Sequence, residues 1–499
     1  MGGVTVNASR LGLGTLRRLP AGSRPLVRPG AVPAGIVHLG LGAFHRAHQA
    51  VYTEEAVAAA GGDWGIVGVA PRSTDVVSKL AAQDCLFSVT SSSGAGNQTR
   101  VVGALAGVRH AASDPAAIVA LLADPAIRVV TLTVTEKAYQ LDPATGLLRP
   151  DEAVLADLGS DRPPRTVPGL LVRGLLARLA ADAGPIALMS CDNLPSNGER
   201  LHSLVGQALG LVGDGGGERI AGWLRENVTF PGTMVDRIVP ASTPQTLADA
   251  QAALGVSDLA ALAAEPYRQW VIEDRFPGGR PAWERAGVVL TDDAGPWERL
   301  KLRALNGVHS ATAYLGALAG RETIAEALEI PHLAGVLRRL IAEDVAASFA
   351  PPEGVSVVDY GEQVLERFAN PVLRHRTIQI AMDGSQKLPQ RVLHTIADLR
   401  AAGARPRWAA LVVAAWMRFV QGRADDGTQL PLDDPLADRI RAALAAGRDS
   451  PAGAAEALFG LTEVFPVELA ADDEVRELVV GWLTALDRHG VERTLAGAA

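Results

Sequence analysis

The sequence predicts an α/β chain in which an α/β domain with a parallel sheet comes first and a mainly α-helical domain follows. Two observations predict this fold class. As far as residue 290, short apolar runs alternate with segments of helical spacing, as βαβ units require. Beyond that point the apolar residues recur mostly at helical spacing, and Ala, Leu, Glu and Arg dominate.

The first domain is predicted to follow an irregular N-terminal arm, residues 1–33, which is rich in Pro, Gly and Arg. Its expected strands are short and apolar, with helices between them. We place it at 34–290, with strands at 35–40, 64–69, 128–134 and 185–190 and helices at 45–60 and 170–183. The second domain then covers 291–499, because Asp292, Asp293 and Gly295 precede Pro296 as at a helix start.

Composition excludes several classes of protein. The net charge of −8 argues against a nucleic-acid or membrane-surface partner, since both recruit clustered Lys and Arg. Two cysteines, Cys85 and Cys191, are too few for a disulfide framework or a cysteine zinc cluster. With no secretory signal pattern and no apolar run of bilayer length, we expect a cytoplasmic protein with a small-molecule substrate. The sequence does not indicate an oligomeric state.

A glycine turn joins the first predicted strand to the first helix. Gly40 and Gly42 stand where glycines let the backbone approach a pyrophosphate and a helix N-terminus supplies free N–H groups. His45 occupies the place of the third glycine of the usual dinucleotide fingerprint, and Arg46 either pairs with a phosphate or is a solvated charge. A turn that needs glycine for its geometry alone explains these residues equally well.

Two neighbouring features bear on the cofactor and on metal binding. An acid at the end of the second strand binds the ribose of NAD, whereas an arginine accommodates the 2′-phosphate of NADP. No acid directly follows Val69, and Arg72 is close, so this strand end does not itself favour NAD. His38, His45 and His48 flank the glycine turn, but a metal there would compete with cofactor phosphates. We therefore predict no metal site.

The segment from Lys301 to Ser310 carries residue types that suit alcohol oxidation without a metal. At about 100° per residue, Lys301, His309 and Asn306 fall at roughly 0°, 80° and 140° on a helix. A lysine with a lowered pKa can accept the hydroxyl proton, an asparagine amide can donate to the forming oxyanion, and a histidine can bind a neighbouring hydroxyl. The same three residue types are also common as surface or capping residues.

Ordered motifs along nearly the whole chain resemble the polyol-specific long-chain dehydrogenase family. This family holds mannitol 2-dehydrogenases, arabinitol dehydrogenases and fructuronate reductases (mannonate oxidoreductases). The matching stretches run from Gly40 to His48, Thr133 to Lys137, Ser190 to Asn193, Asn197 to Gly198, Phe230 to Ile238, Gln269 to Asp274, Lys301 to His309 and Met382 to Gln390. The resemblance implies a Rossmann-type N-terminal domain, a helical C-terminal domain and a zinc-independent oxidoreductase. It also leads us to prefer NAD over NADP.

The resemblance assigns roles to individual residues. It implies that Lys301 is the general base, that Asn306 and Asn197 form the oxyanion hole, and that His309 and Asp236 position the substrate. It further implies a proton relay through Glu298 and a substrate contact by Lys387. The residues expected to bind the cofactor are Gly40, Gly42, Phe44, His45, Arg46, Glu136, Lys137 and Asn193.

Several of these residues have simpler explanations. Asp236 with Arg237 also suits a structural ion pair, Asn193 a turn, and Glu136 with Lys137 a solvated pair.

The reaction implied by the resemblance interconverts a secondary alcohol with a ketone, and two substrate pairs compete. One is mannitol and fructose, and the other is D-mannonate and D-fructuronate. The run 375–391 closely resembles the fructuronate reductases, although some mannitol dehydrogenases share much of it. An acid substrate would need a cation near its carboxylate, which Arg374, Arg376 or Lys387 can supply. Two alternatives stay open: a polyol-phosphate dehydrogenase, such as one acting on mannitol 1-phosphate, and a non-catalytic nucleotide sensor on the same fold.

Overall fold

The structure is a computed structural model that describes residues 9–93, 96–142, 145–213, 216–371, 374–447 and 450–498. It consists of two compact units, Met1–Gly295 and Pro296–Ala499. The predicted fold class is confirmed: the first unit is built on a parallel sheet with helices, and the second is helical. Part of the predicted N-terminal arm, residues 1–8, lies outside the described residues.

The main sheet of the first unit is parallel, with the strand order β5-β2-β1-β6-β7-β8. This is the doubly wound order in which the chain starts at the centre and builds outward in both directions. The strands of the unit are β1 (Ala34–Leu39), β2 (Gly65–Ala70), β3 (Phe87–Ser93), β4 (Gly96–Val102), β5 (Leu105–His110), β6 (Val129–Leu132), β7 (Ile186–Ser190), β8 (Val228–Thr229), β9 (Thr233–Asp236), β10 (Leu262–Ala264), β11 (Gln269–Glu273) and β12 (Val289–Thr291).

Helices connect these strands, and local sequence explains where several of them begin. The Asp114 side chain accepts a hydrogen bond from Ala117 N (3.1 Å), and Thr166 does the same for Gly169 N (3.1 Å), each just before a helix that contains an early proline. The helices are α1 (Ala43–Ala47), α2 (Gln49–Ala60), α3 (Thr74–Ala81), α4 (Pro115–Leu122), α5 (Glu136–Tyr139), α6 (Glu152–Gly159), α7 (Val167–Ala180), α8 (Asn197–Leu209), α9 (Gly216–Asn227) and α10 (Pro244–Leu254).

Two smaller sheets complete the first unit, in the orders β10-β3-β4 and β12-β11-β9. They bring Tyr52, Trp270 and Trp283 into one buried aromatic cluster, in which the two tryptophan rings are 4.9 Å apart. The N-terminal arm is more ordered than we expected. It forms 3₁₀ turns at Leu13–Arg18 and Ala21–Ser23, and Leu11 and Leu19 are buried in a small core.

The second unit is a helical assembly packed around α12 (Val308–Leu318) and α19 (Arg407–Phe419). The apolar sequence of α19 forms a buried helix, with nearly every side chain inaccessible. Among the described residues, no helix is both long and apolar enough to cross a membrane. The helices are α11 (Gly295–Leu300), α12 (Val308–Leu318), α13 (Ile324–Leu328), α14 (Leu333–Arg339), α15 (Val357–Phe368), α16 (Thr377–Ala381), α17 (Gly384–Leu388), α18 (His394–Ala401), α19 (Arg407–Phe419), α20 (Ala437–Ala446), α21 (Pro451–Phe459), α22 (Val467–Ala470) and α23 (Asp473–Ala498).

π-Helical segments interrupt the α-helices of the second unit. They are Lys301–Gly307, Leu340–Val345 and Pro389–Leu393. A π-helix is hydrogen-bonded from i to i+5, so each turn holds more residues than an α-turn, and such segments are rare. The first of them contains the lysine and the asparagine that the sequence singles out.

Candidate functional site

The glycine turn of the first unit lies at the carboxyl end of β1, the strand at which the sheet order reverses. In doubly wound sheets this switch point is where dinucleotides bind. Gly40 has φ 110°, and a side chain there would overlap the backbone carbonyl of Thr133, just after β6. Gly42 is exposed, and a Cβ built on it would meet only the Gly40 carbonyl oxygen, 3.7 Å away. The turn therefore presents bare backbone at the strand ends.

Two buried imidazoles lie beneath this turn. The rings of His38 and His45 stack with centroids 3.4 Å apart, and both side chains are inaccessible. His38 Nδ1 is 2.7 Å from Thr131 Oγ1, and its Nε2 is 2.9 Å from Thr133 Oγ1. Burial lowers the pKa of His38 to about 3 and lowers that of His45 well below its usual value. Both imidazoles are therefore neutral near pH 7.

Arg46 of the glycine turn is bonded to the protein backbone. Its guanidinium is buried and donates to the carbonyl oxygens of Ala260 (2.6 Å) and Gly42 (3.3 Å). Burial shows that the interpretation of Arg46 as a solvated charge is wrong, whereas its pairing with a cofactor phosphate stays a prediction. The helix also departs from the predicted continuous span 45–60, because it breaks between α1 and α2 at His48 (φ −126°, ψ −84°), whose Nε2 is 2.9 Å from the Gln269 carbonyl oxygen.

The loops after β6 and β7 are joined by Asp192, a residue that sequence reasoning missed. Its carboxylate accepts hydrogen bonds from Val134 N (3.0 Å), Thr135 N (3.1 Å) and the Tyr139 hydroxyl (2.7 Å). Thr135 has φ 72°, a strained value for a β-branched residue, and these bonds hold it there. The signal was present in the position of this acid, which is separated from the end of β7 only by Cys191. The predicted cofactor residues Glu136, Lys137 and Asn193 are exposed on the same two loops, and Phe44 is half-buried in α1.

Asn197 has its amide committed to the protein. Its Nδ2 donates to the Thr233 carbonyl (2.9 Å), Thr233 Oγ1 (3.1 Å) and the Asp192 carbonyl (3.2 Å), and its Oδ1 accepts from Thr233 N (3.0 Å). These bonds orient the Asn197 amide, and its expected contribution to the oxyanion hole stays a prediction. Asn197 fixes the start of β9.

Asp236 ends β9 and is buried. The Arg237 beside it donates to backbone carbonyls, among them that of Glu265 (2.9 Å), and to Ser91 Oγ (3.0 Å).

In the second unit, Lys301, Asn306 and His309 lie on the continuous helix formed by α11, the π-segment Lys301–Gly307 and α12. The wheel drawn at 100° per residue is wrong for this segment, because it assumes an α-helix. In a π-helix, residues i and i+5 are hydrogen-bonded across one turn, as i and i+4 are in an α-helix. Lys301 and Asn306 therefore lie on the same side instead of about 140° apart. Lys301 is half-buried, whereas Asn306 and His309 are each 8% exposed.

His309 is buried with its Nε2 lacking a hydrogen-bond partner among the described residues. Its ring stacks on Phe368 with centroids 4.4 Å apart, and the ring of His375 is 5.7 Å away. Burial, and then the positive charges of His375, Arg391, Arg367 and Lys387, lower the pKa of His309 well below its usual value. A neutral imidazole with an unpaired buried nitrogen is prepared for a ligand, because leaving that nitrogen unpaired costs free energy.

Cations are gathered around this histidine. Arg391 donates to Ser310 Oγ (3.1 Å), and Arg367 is buried at the end of α15. Lys387 Nζ donates to the Ile380 carbonyl (3.3 Å) and is 3.8 Å from Asp383, while burial lowers its pKa. Sequence reasoning singled out Lys387 but missed Arg367 and Arg391, since neither stands in a motif that names its chemistry.

The remaining predicted residues of the second unit are Glu298, half-buried in α11, and Arg374, which is exposed with φ 43°. Within the described ranges, no three His, Cys, Asp or Glu side chains come together as metal ligands would.

Comparison with known families decides the assignment of the chain. The family model described as the mannitol dehydrogenase Rossmann domain matches residues 34–285, and that of the mannitol dehydrogenase C-terminal domain matches residues 293–487.

The chain belongs to the mannitol dehydrogenase family.

Individual members of the mannitol dehydrogenase family are similar over almost their full length. The uncharacterized oxidoreductase YeiQ of Escherichia coli is 44% identical, over 87% of this chain and 88% of its own. The D-mannonate oxidoreductase of the same organism is 39% identical, over 94% and 96%. The structure of Pseudomonas fluorescens mannitol 2-dehydrogenase, in a ternary complex with NAD and D-mannitol, is 32% identical with a TM-score of 0.83, over 98% of this chain and 99% of that one. Both the predicted family resemblance and the prediction of an oxidoreductase are confirmed.

Proposed function

We propose that this member of the mannitol dehydrogenase family is an NAD-dependent, metal-independent dehydrogenase that interconverts a secondary alcohol of a polyol or sugar acid with the matching ketone. The observation that carries the proposal is the π-turn, which places Lys301 and Asn306 on one side of the helix. His309 follows on the same side, about one α-helical turn after Asn306. A base, an amide donor and a neutral imidazole on one helix face are the groups that alcohol oxidation needs.

Each group has a defined task. The Lys301 amine takes the proton of the substrate hydroxyl. The Asn306 amide donates to the oxygen as negative charge develops there, and the free Nε2 of His309 binds an adjacent hydroxyl. Glu298, one helical turn before Lys301, accepts the proton from the amine and passes it to solvent. The ammonium formed on Lys301 and the Asn306 amide together stabilise the oxygen, so the scheme requires no metal.

The cofactor is assigned to the glycine turn of the first unit. NAD held at this turn would supply the hydride acceptor for the carbinol carbon. The exposed Gly42 and the turn at Gly40 fit a pyrophosphate, and the loops that Asp192 joins end at the same edge of the sheet. The solved mannitol 2-dehydrogenase with NAD supports the choice of NAD over NADP. Glu136, Lys137 and Asn193 remain proposed cofactor contacts.

Of the two substrate pairs, the cations around His309 favour the acid. Arg367, Arg391 and Lys387 all act on His309, and a substrate carboxylate would offset their mutual repulsion. Similarity to the D-mannonate oxidoreductase supports the same choice. We therefore propose D-mannonate and D-fructuronate as the first substrate pair, and D-mannitol and D-fructose as the second. Arg374 remains a candidate for contact with the carboxylate.

A substrate panel tests the proposal. NADH formation is measured with D-mannonate, D-mannitol and mannitol 1-phosphate, and NADH consumption with D-fructuronate and D-fructose. Each measurement is repeated with the phosphorylated cofactor. We expect turnover of the acid pair with NAD at a kcat/KM at least tenfold above that of the neutral pair. Turnover of mannitol 1-phosphate alone would replace the proposal with a polyol-phosphate dehydrogenase. Absence of turnover with every substrate, despite binding of NADH, would indicate a nucleotide sensor instead.

A further inference from the structure

The π-turn Lys301–Gly307 departs from the α-helix on either side of it, so particular contacts must hold it in place. We propose that Arg303 and Gly307 maintain this turn and are positioning residues for the reaction carried by Lys301, Asn306 and His309. The inference rests on the proposed function, since it concerns the spacing of those three groups. π-Turns are found frequently at functional sites, where they change which residues share a helix face.

Arg303 is anchored deeply inside the second unit. It is 6% exposed, and its Nη1 donates to the Ser348 carbonyl (3.0 Å) and to Ser348 Oγ (2.8 Å). Its Nη2 donates to Asp398 Oδ2 (2.5 Å). These bonds engage both ends of one planar guanidinium, so the side chain and the turn that carries it have little freedom to rotate.

The two anchors of Arg303 lie in the stretches of chain that follow the other π-segments. Ser348 follows the segment Leu340–Val345, and its hydroxyl donates back to the Val345 carbonyl (2.8 Å). Asp398 lies in α18, which directly continues the segment Pro389–Leu393. A single arginine thus connects the π-turn of the proposed catalytic residues to the stretches that follow Leu340–Val345 and Pro389–Leu393.

Gly307 provides a second constraint, at the end of the turn. A Cβ built on it would lie 2.8 Å from the Arg391 carbonyl oxygen, a backbone atom that cannot move aside without moving its helix. Gly307 has ordinary helical angles (φ −64°, ψ −48°), so backbone conformation does not explain the glycine. The close approach of the two helical segments explains the glycine instead. The Arg391 side chain also donates to Ser310 Oγ on the following turn (3.1 Å). The helix therefore rests directly on the segment Pro389–Leu393.

The competing explanation is that both residues merely stabilise the fold. The two explanations differ in their prediction for Gly307→Ala. Alanine is a better helix former than glycine, so a glycine without a positional role should be replaceable with no loss, or with a gain, in stability and activity. If close packing sets the register, the added methyl group displaces the turn, and turnover falls even though the protein remains folded.

The experiment compares Gly307→Ala with Gly335→Ala, a glycine of α14 around which a Cβ would meet nothing within 4 Å. We expect Gly307→Ala to lower kcat by about ten- to a hundredfold, the scale of a misplacement near 1 Å. KM, NADH affinity by fluorescence titration and the melting temperature should change little, and the pH at which kcat is half-maximal should move because Lys301 has moved. Gly335→Ala should match the unchanged protein in kcat, KM, NADH affinity and pH dependence, with an equal or higher melting temperature.

A second variant keeps the test decisive if Gly307→Ala does not fold. Arg303→Lys retains the positive charge but cannot span Ser348 and Asp398, so we expect a kcat at least about tenfold lower with NADH affinity retained. A kcat within twofold of normal in either folded variant, or a fall in kcat matched by an equal loss of NADH affinity, would overturn the inference.

Failure of the proposed function is separable from failure of this inference. The proposed function fails if the unchanged protein turns over none of the substrates, or if Lys301→Ala is as active as the unchanged protein. This inference alone fails if Lys301→Ala is inactive and the two positioning variants are normal.

Discussion

Replacing His38 tests how the buried imidazole pair beneath the glycine turn affects stability. Burial lowers the pKa of His38 to about 3, against about 6.5 in an unfolded chain. Between pH 3 and pH 6.5 the unfolded chain binds a proton at His38 that the folded protein does not bind. Stability contributed by the neutral imidazole is therefore complete above pH 6.5 and is lost as the pH falls towards 3.

The magnitude follows from the size of the shift. One pKa unit corresponds to about 1.4 kcal/mol, so His38 alone should cost the first unit about 3 kcal/mol between pH 6.5 and pH 4. In His38→Gln the side-chain amide can still donate to the Gly40 carbonyl, which is 3.0 Å from His38 Nε2, but the titrating group is gone. We expect this variant to be less stable than the unchanged protein near pH 7. Its free energy of unfolding should fall less steeply as the pH is lowered, because one proton fewer is bound on unfolding.

The assay is urea unfolding at a series of pH values, with protection of β1 and β6 followed by hydrogen-exchange mass spectrometry so that the first unit is observed by itself. The matched control is Thr131→Val, which removes the Nδ1 partner of His38 (2.7 Å) but leaves the imidazole. This control should be destabilised at every pH with an unaltered slope. Equal slopes in His38→Gln and the unchanged protein would refute the assignment of a neutral buried His38.

Three further outcomes are expected. Lys301→Ala should lower kcat at least about a hundredfold and abolish the rise of kcat with pH, and retention of that rise would remove Lys301 from the role of base. Asn306→Ala should lower kcat by about 10²–10³ with little change in KM, as loss of one oxyanion donor does, and a change confined to KM would contradict this. Gly40→Ala should weaken NADH binding at least about tenfold, because its methyl group overlaps the Thr133 carbonyl. Gly30→Ala, also at positive φ (72°) but with nothing within 4 Å, should bind NADH normally, so equal effects would show that backbone strain alone is responsible.

The main sheet and the helical second unit were predictable because their signals are local. The predicted strands at 35–40, 64–69, 128–134 and 185–190 correspond to β1, β2, β6 and β7. Each is mostly apolar and is buried on both faces, as is typical of a covered parallel strand. The sequence places the domain boundary near residue 290, and the structure divides into its two units between Gly295 and Pro296. The smaller sheets and the helix break at His48 were not predicted, since pairing between β9 and β11 depends on contacts distant in sequence.

For the candidate site, sequence reasoning identified residues better than it identified their partners. Lys301, Asn306 and His309 stand together because the helix that carries them is continuous, although its π-turn is not visible in the spacing. Arg46 and Asn197 were assigned to ligands, and their hydrogen bonds within the protein go to Ala260 and Thr233. Nothing adjacent to either residue in the sequence indicates those bonds.

The sequence by itself determined the fold class, the order of the elements and the family, because these depend on residue types and on spacing within a turn or a strand. Only the tertiary structure decided which polar groups are free for a ligand. Arg46 reaches a carbonyl 214 residues away, whereas His309 Nε2 finds no partner among the described residues. The physical reason is that a buried donor or acceptor must be paired, and its partner is supplied by whichever distant segment folds against it.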